Sequence, residues 1–298
     1  MSICELARAK VNLSLKVLGR RSDGYHELAS LVTFAACGDR VRLSPGTPCR
    51  VTVTGPFAGD IVGENLLQRT LVLLHAAAPE LRLGAVALEK ELPVAAGLGG
   101  GSADAAALLR CVRRANPERE RCIPWRHLAL RLGADVPMCL DGVPAFVSGI
   151  GERSLPVAGL PQMYAVLANP RLPLPTSRVF AALAAPPAGP HGRAPAPPTT
   201  PSDIESVAAF MRTHGNALEP PAMALLPAVS ELKAALAALP GCRIAAMSGS
   251  GATCFGLFAS AAAARAGAAL LAARQPRYWV VAAALAGSRD EASLNSPD

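Results

Sequence analysis

The sequence contains few aromatic residues and no apolar segment of membrane-spanning length. Phenylalanine, tryptophan and tyrosine make up only 4% of the 298 residues, too few for the aromatic platforms on which nucleic-acid bases stack. The longest apolar segments, 261–273 and 280–286, fall well short of the roughly 20 residues that a spanning helix needs, and Arg265 interrupts the first. These absences argue against a nucleic-acid-binding protein and against a membrane protein.

The sequence also lacks cysteine and histidine in metal-binding patterns. None of its eight cysteines belongs to a C-x-x-C pair or to a Cys/His cluster with zinc spacing. The N-terminal segment has no charged cap followed by an unbroken apolar run, so it does not look like a secretory signal. We therefore expect reduced, mostly buried thiols in a cytoplasmic protein.

Apolar residues, by contrast, are abundant, at 51% against 17% charged residues, which is typical of a globular protein. The length exceeds that at which one hydrophobic core usually keeps growing, so we expect two domains, at 1–155 and 156–298. The net charge of +7 suits an anionic ligand. Because the basic residues are dispersed, a phosphorylated small molecule is a better candidate than a nucleic acid.

Hydrophobic periodicity predicts an α+β fold, with strands first and helices following in the N-terminal half. Strands are predicted at 9–17, 41–43, 51–54, 85–88, 157–169, 254–258 and 279–284. Helices are predicted at 66–78, 103–112, 202–213, 229–239 and 261–272. Turn residues fill 19–25, and prolines and glycines crowd 186–201, which predicts a long surface loop that is a candidate for disorder.

The most specific feature is the segment 92–107, LPVAAGLGGGSADAAA, in which a glycine loop leads into an alanine-rich helix. Glycines let the backbone approach a ligand closely and point successive N–H groups inward. The helix N-terminus adds positive potential at the same place. The segment therefore predicts a phosphate-binding loop, with a glycine turn that serves only tight helix packing as the alternative.

Two well-known phosphate loops do not fit this segment. A P-loop needs Gly-Lys followed by Ser or Thr, and no lysine follows these glycines. The dinucleotide fingerprint needs a third glycine three residues after the second. With Gly97 and Gly99 as the first two, that position is Ser102.

The segment 93–106 instead resembles the ATP-binding loop of the kinase superfamily named for galactokinase, homoserine kinase, mevalonate kinase and phosphomevalonate kinase. That loop is Pro-x-x-x-Gly-Leu-Gly followed by small residues. A second segment, MSGSGA at 247–252, is similar to the superfamily's C-terminal glycine motif, although alone it would indicate only a turn. The resemblance implies a two-domain α+β kinase that uses ATP, with its active site in the cleft between the domains.

Further segments resemble one branch of that superfamily, the 4-diphosphocytidyl-2-C-methyl-D-erythritol kinases. They are KVNLSL at 10–15, GRRSDGYHEL at 19–28, GADVP at 133–137, PTS at 175–177 and GNALE at 215–219. The resemblance extends from about residue 7 to about residue 258. The chain departs from the pattern at Ala95 and Ala96, where many relatives have glycine, at Val32-Thr-Phe, and in the apparent insertion 186–201.

The resemblance implies phosphorylation of the 2-hydroxyl of a cytidine-diphosphate-linked methylerythritol, a step of non-mevalonate isoprenoid synthesis. One alternative is a homoserine or mevalonate kinase, against which the GRRSDGYH segment argues, because those substrates carry no base. The other is a catalytically silent nucleotide-binding or regulatory protein. Such a protein has no reason to keep both Lys10 and Asp135.

Those two residues are the catalytic candidates that the resemblance implies. Asp135 is then the general base for the hydroxyl, while Lys10 holds it ionised and neutralises the transferring phosphoryl group. Taken singly, Lys10 could be a solvated strand lysine and Asp135 a turn carboxylate. Asp141 lies in an ordinary Asp-Gly turn, and we assign it no chemistry.

The implied ATP-binding residues are those of the loop together with one asparagine: Pro93, Gly97, Leu98, Gly99, Gly100, Gly101, Ser102 and Asn65. Ser102 could bind Mg²⁺, cap its own helix, or do both. Asn65 lies in the region that meets adenine in the family, and helix N-capping is an equal alternative. Asp104 is expected to favour the helix N-terminus by its charge.

The implied substrate-binding residues are Asn12, Tyr25, His26, Thr176, Phe180, Ser248 and Gly249. Tyr25 can stack on cytosine while His26 meets its polar edge, and Phe180 can form the other wall. His26 could instead cap the turn opened by Asp23-Gly24. We expect small-molecule substrates only, with neither nucleic acid nor membrane as partner, and either a monomer or a homodimer.

Overall fold

The computed structural model describes residues 1–187 and 199–285, which contain eleven strands and nine α-helices. The strands are β1 (Ile3–Asn12), β2 (Lys16–Arg20), β3 (His26–Pro45), β4 (Val51–Thr54), β5 (Gly84–Glu89), β6 (Ala145–Gly149), β7 (Arg153–Pro156), β8 (Met163–Asn169), β9 (Ile244–Met247), β10 (Cys254–Phe258) and β11 (Trp279–Leu285). The helices are α1 (Leu66–Ala77), α2 (Gly100–Ala115), α3 (Trp125–Leu132), α4 (Val136–Asp141), α5 (Thr176–Leu183), α6 (Ile204–His214), α7 (Glu219–Leu225), α8 (Ala228–Ala237) and α9 (Ala261–Arg274).

The chain forms two compact units, each built from several separate segments. Unit 1 comprises Met1–Lys10, Cys37–Val94 and Gly99–Gly142, and unit 2 comprises Val11–Ala36, Ala95–Leu98 and the chain from Val143 onward. Strands β1 and β3 continue from one unit into the other. Because each compact unit is made of several segments, no single position in the sequence separates them. The boundary expected near residue 155 stays a prediction.

In unit 1, a small sheet packs with four helices. Strand β4 runs parallel to β5, and β5 pairs antiparallel with residues 40–45 of β3. Helix α2 contacts α1, α3 and α4. Helix α1 begins at a capping box, in which Asn65 accepts from the Leu67 N–H and Gln68 accepts from the Asn65 N–H. The core of this unit contains the buried side chains of Val41, Leu43, Leu67, Leu88 and Leu108.

In unit 2, an antiparallel sheet runs in the order β11, β8, β10, β9. Residues 28–32 of β3 pair with β6, and Ala35 of β3 pairs with Leu285 of β11. Helices α8 and α9 cover β8, β9 and β10, and their apolar residues join one core. In α8, Val229, Leu232 and Leu236 are fully buried. Their spacing of three and four residues places them on one face of the helix, which packs against this core.

Several predicted elements are confirmed. Strands β4 and β10 have the predicted bounds, and α1 differs by one residue at its end. The strand predicted at 9–17 is divided between β1 and β2, because the chain bends between them, where the Leu13 and Ser14 N–H groups both donate to the Leu31 carbonyl. The short strand predicted at 41–43 is part of the 20-residue β3.

The predicted loop 186–201 lies mostly outside the described residues. At its start, the Pro186 carbonyl accepts a hydrogen bond of 2.8 Å from the Arg20 N–H, so the chain is tied to β2 there. At its end, Pro201 is buried. In the described part of the chain, no helix combines the length and the apolar character that crossing a membrane requires.

Gly38 marks a close backbone approach between β1 and β3 in unit 1. A Cβ atom at this position would lie 2.0 Å from the Ala7 carbonyl oxygen and 2.9 Å from the Arg8 Cα. Both neighbours are backbone atoms, so they cannot move aside without shifting a strand.

We therefore expect Gly38→Ala to lower the free energy of unfolding by about 1–3 kcal/mol, the usual cost of overpacking. The matched control is Gly59→Ala, because no atom lies within 4 Å of a Cβ at that position. Urea denaturation of both variants measures the difference. Equal stability of the two variants would contradict the close approach.

Candidate functional site

Lys10 and Asp135, 125 residues apart in the sequence, form an ion pair in unit 1. The Lys10 Nζ donates to the Asp135 Oδ2 over 2.6 Å, and the two side chains are 11% and 31% exposed. Burial of Lys10 opposes its charge, but the attraction and the hydrogen bond of Asp135 outweigh burial and raise the pKa of Lys10. The structure therefore brings the two catalytic candidates together as a charged pair.

Asp135 is available for this pairing because its helix does not use it as a cap. It occupies the N-cap position of α4, yet its side chain makes no capping hydrogen bond. Pro137 lies in the first turn, where its missing N–H costs nothing. Asp141, at the other end of α4, pairs instead with Arg126, and both of those side chains are more than one-third exposed.

The glycine loop reaches the N-terminus of α2 through residues in left-handed conformations. Ala95, Gly97 and Gly99 have φ values of 51°, 75° and 65°, a region that favours glycine. A Cβ on Gly99 would lie 3.3 Å from the Lys10 Cβ, so the first turn of α2 begins beside the base of that lysine. The first N–H groups of α2 have no partner within the helix, which makes this turn suited to an anion.

Ser102 lies in that first turn of α2 and is partly exposed. The N-cap residue of α2 is Gly99 and no side chain of the described residues caps that end, so helix capping, one of the two roles expected of Ser102, is not observed. Pro93 and Leu98, the other named loop residues, are buried and hold the loop against the core. Asn65 caps α1, as described above, and its possible role toward adenine stays a prediction.

A buried ionic cluster lies directly behind this turn, and sequence reasoning missed it. The Lys90 Nζ donates to the Asp39 Oδ2 over 2.5 Å and to the Asp104 Oδ2 over 2.9 Å, with all three side chains at most 5% exposed. Asp104 thus points into the core of unit 1 and is not displayed at the helix N-terminus. Burial, opposed by Lys90, raises the pKa of Asp104 to about 8.

In unit 2, four of the predicted substrate residues line one pocket of about 600 Å³, a size typical of small-molecule sites. They are Tyr25, His26, Thr176 and Phe180. The His26 and Phe180 rings stack on each other with centroids 4.7 Å apart, while Tyr25 is 59% exposed. The pocket also contains Arg20, which sequence reasoning did not single out, although it is the first arginine of the GRRSDGYH segment.

The remaining predicted residues of unit 2 meet at the second glycine motif. The Ser248 hydroxyl accepts from the Asn12 N–H over 3.2 Å and donates to the Gly97 carbonyl over 3.0 Å. Gly249 approaches the same loop so closely that a Cβ on it would lie 2.8 Å from the Gly97 oxygen. The two glycine motifs, 151 residues apart, therefore pack backbone against backbone.

Two further side chains fix this second motif. Asn216 donates to the Met247 and Gly249 carbonyls over 2.9 and 2.8 Å, and the Thr176 and Ser250 hydroxyls lie 2.8 Å apart. Sequence reasoning assigned Asn216 no role, although its place in the GNALE segment was the available signal. The Asn12 side chain donates to the Ser30 hydroxyl, and its buried Oδ1 has no partner among the described residues.

Comparison with known proteins shows which families the chain resembles. Residues 65–149 match the family described as GHMP kinases N terminal domain, and residues 199–274 match GHMP kinases C terminal. A 4-diphosphocytidyl-2-C-methyl-D-erythritol kinase of Cereibacter sphaeroides is 47% identical over 286 residues, covering 94% of this chain and 98% of the relative. One of Rhodopseudomonas palustris is 47% identical over 294 residues, covering 95% and 99%.

Solved structures show the same likeness. A crystal structure of 4-(cytidine 5'-diphospho)-2C-methyl-D-erythritol kinase has a TM-score of 0.74 and 37% identity, covering 96% of this chain and 100% of that one. A homoserine kinase from Cytophaga hutchinsonii has a TM-score of 0.67 at 17% identity, with 96% of each chain covered. The second likeness is one of fold alone.

The pocket environment of His26 generates a prediction about its protonation. Burial and then the nearby Arg20 charge lower the pKa of His26 below its ordinary value, so the imidazole is neutral at pH 7. Because the folded state then binds this proton less tightly than the unfolded state, acidification through the ordinary histidine range favours unfolding.

We expect Arg20→Gln to raise the pKa of His26, measured by NMR titration of the imidazole. Lys16→Gln is the matched control, since Lys16 is an exposed cation on the same strand and does not line the pocket. An unchanged titration in Arg20→Gln would remove Arg20 as a cause of the shift.

Proposed function

Because the chain belongs to the 4-diphosphocytidyl-2-C-methyl-D-erythritol kinase family of the GHMP kinases, we propose that it transfers the γ-phosphoryl group of ATP to the 2-hydroxyl of 4-diphosphocytidyl-2-C-methyl-D-erythritol. The reaction is a step of non-mevalonate isoprenoid precursor synthesis. The observation that carries the proposal is the pair of Lys10 and Asp135, joined over 2.6 Å. Phosphoryl transfer needs little covalent help from a protein, but it needs one group to orient the hydroxyl and positive charge near the phosphates.

Asp135 takes the proton of the 2-hydroxyl as the hydroxyl oxygen attacks the γ-phosphorus, and the bond from that phosphorus to the β-phosphate oxygen breaks to release ADP. The carboxylate is suited to this role because it makes no helix-capping bond. Lys10 acts on both Asp135 and the transferring phosphoryl group. Its ammonium holds Asp135 in place and offsets the negative charge that spreads over the equatorial oxygens.

The glycine loop and the first turn of α2 bind the phosphates of ATP through backbone N–H groups. The left-handed φ values of Gly97 and Gly99 give the loop the conformation that this requires. Asn65, beyond capping α1, meets the adenine side of the nucleotide. The remaining loop residues, Pro93, Leu98 and Gly100, shape the turn. At Gly101 no neighbouring atom of the described residues lies within 4 Å of the place of a Cβ, so the space beside this residue is open.

Magnesium accompanies ATP in this proposal. Among the described residues, no group of three or more His, Cys, Asp or Glu side chains could hold a metal by itself, and Mg²⁺ commonly binds through substrate phosphates and few protein oxygens. The hydroxyl of Ser102, partly exposed in the first turn of α2, is suited to be one such ligand. When bound, Mg²⁺ neutralises phosphate charge.

The pocket of unit 2 holds the cytidine end of the acceptor. Tyr25 stacks on cytosine, the neutral imidazole of His26 meets its polar edge, and Phe180 supports His26 from behind. Thr176 and Asn12 provide further polar contacts, with Ser248 and Gly249 at the adjoining turn. We further propose cytoplasmic action on these small molecules, without nucleic acid or membrane, as a monomer or a homodimer.

Measurement of ADP release with different acceptors tests the proposal. We expect ATP turnover with 4-diphosphocytidyl-2-C-methyl-D-erythritol and turnover near background with homoserine or mevalonate, because only the first carries a base for the pocket. Equal turnover with homoserine or mevalonate would point to another member of the superfamily. ATP binding without turnover on any acceptor would point to a silent nucleotide-binding protein.

The catalytic assignment predicts that Asp135→Asn lowers kcat by about 10²-fold or more while both substrates still bind, because asparagine keeps the size but cannot take a proton. Asp141→Asn is the matched control, since this carboxylate lies at the other end of α4 and pairs with Arg126 on the surface. Steady-state kinetics of both variants gives the comparison. Near-normal turnover of Asp135→Asn at neutral pH would leave the mechanism to Lys10, Mg²⁺ and positioning.

A further inference from the structure

The cluster of Asp39, Lys90 and Asp104 has no part in the mechanism above, yet it buries three ionisable side chains in unit 1. Each of them is at most 5% exposed. Buried ion pairs of this kind seldom add stability compared with apolar residues of the same volume, because removing the charges from water is costly. Their best-attested use is to specify one conformation.

The cluster holds the residues that enter the glycine loop. The Asp39 Oδ1 accepts two backbone hydrogen bonds, from the Glu91 N–H over 2.6 Å and from the Leu92 N–H over 2.8 Å. Pro93, the first residue of the loop motif, follows immediately. A carboxylate that accepts two N–H groups fixes the direction of the backbone more strongly than one neutral bond could.

The same cluster holds the residues that leave the loop. The Lys90 Nζ bonds Asp104, the fifth residue of α2, and lies so close to Gly100 that a Cβ there would be 3.1 Å from the nitrogen. Lys90 therefore sets where the first turn of α2 starts. Between these two fixed ends, the loop must keep the left-handed residues Ala95, Gly97 and Gly99 in one arrangement.

We propose that Asp39, Lys90 and Asp104 are positioning residues for ATP binding, which hold both ends of the glycine loop so that its backbone N–H groups stay aimed at the phosphates. The proposal rests on the proposed phosphate-binding role of that loop. The cluster contacts no phosphate itself, and it acts through Leu92 and Gly100. Pre-formed donors bind a ligand more tightly because less order has to be created on binding.

The experiment measures the Kd for ATP with Mg²⁺ and without an acceptor, by calorimetry on the full chain. This readout does not depend on which acceptor is phosphorylated, so a failure of the proposed substrate would leave it intact. Asp39→Asn replaces one acceptor oxygen by an NH₂ group that faces either Lys90 or the two N–H groups. We expect the Kd to rise by about 10-fold or more, as for the loss of a charged hydrogen bond.

The matched control is Asn116→Ala, at the opposite end of the same helix. Asn116 is also fully buried, and it bonds the Arg82 N–H and the Val112 carbonyl, both over 2.8 Å. Loss of these bonds should lower the melting temperature and leave the Kd for ATP within about 2-fold of the wild-type value. If Asp39→Asn behaves like Asn116→Ala, with a lower melting temperature and an unchanged Kd, the cluster serves stability alone and the proposal is wrong.

A second pair of variants decides the matter if Asp39→Asn does not fold. Asp104→Leu keeps the branched shape and the number of side-chain heavy atoms but leaves Lys90 paired with Asp39 only, whereas Asp104→Asn can still accept the hydrogen bond of Lys90. We expect Asp104→Leu to bind ATP about 5-fold or more weakly than Asp104→Asn. Equal Kd values for the two variants would overturn the proposal.

Discussion

A buried positive charge needs a negative partner, and this constraint organises unit 1. Lys10 pairs with Asp135, Lys90 bonds the side chains of Asp39 and Asp104, and the partly buried Arg110 bonds Glu5 together with the Leu6 and Cys139 carbonyls. Each partner comes from a different segment of the chain, so the pairs also join segments that are distant in sequence. The strand that carries Lys10, the loop entrance and the start of α4 are fixed through them. An unpaired member would leave a charge in a low-dielectric interior, which costs several kcal/mol.

The two glycine motifs depend on each other in a different way. Gly249 approaches Gly97 backbone against backbone, and the Ser248 hydroxyl donates to the Gly97 carbonyl. The same serine receives the Asn12 N–H, so strand β1 ends against this contact. Glycine at these positions is therefore needed for packing as well as for any ligand. The sequence left two roles open for the glycine loop, tight packing and phosphate binding. The two roles are compatible, since one backbone arrangement serves both.

Much of the fold could be predicted because periodicity is a local property. Helix α1 has a regular apolar face and an N-cap, and β10 is a short buried run, so the sequence predicts both at nearly the observed bounds. The full length of β3 has no such signal, since residues 27–35 are almost all buried and show no alternation. Helix α4 has only six residues, too few to display a period.

Side-chain clusters were harder to predict than elements. The two catalytic candidates were found because each lies in a recognisable motif. Asp39 and Lys90 are 51 residues apart, and nothing near Asp39 in the sequence announces a partner. Only the pairing of β3 with β5 brings the two neighbourhoods together. Contacts of this kind have no local signal in the sequence, so the ionic cluster could not be predicted from it.

The passage of β1 and β3 through both units has a consequence for synthesis on the ribosome. All segments of unit 1 have been made once Gly142 emerges, so its sheet and helices can assemble early. Residues 28–32 of β3 find their partner strand β6, which begins at Ala145, soon after that point, but Ala35 must wait for β11, which begins at Trp279. Until then that edge of the strand is an unpaired template of the kind that attracts other chains. That end of β3 therefore stays open to pairing with other chains until nearly the whole sequence has been made.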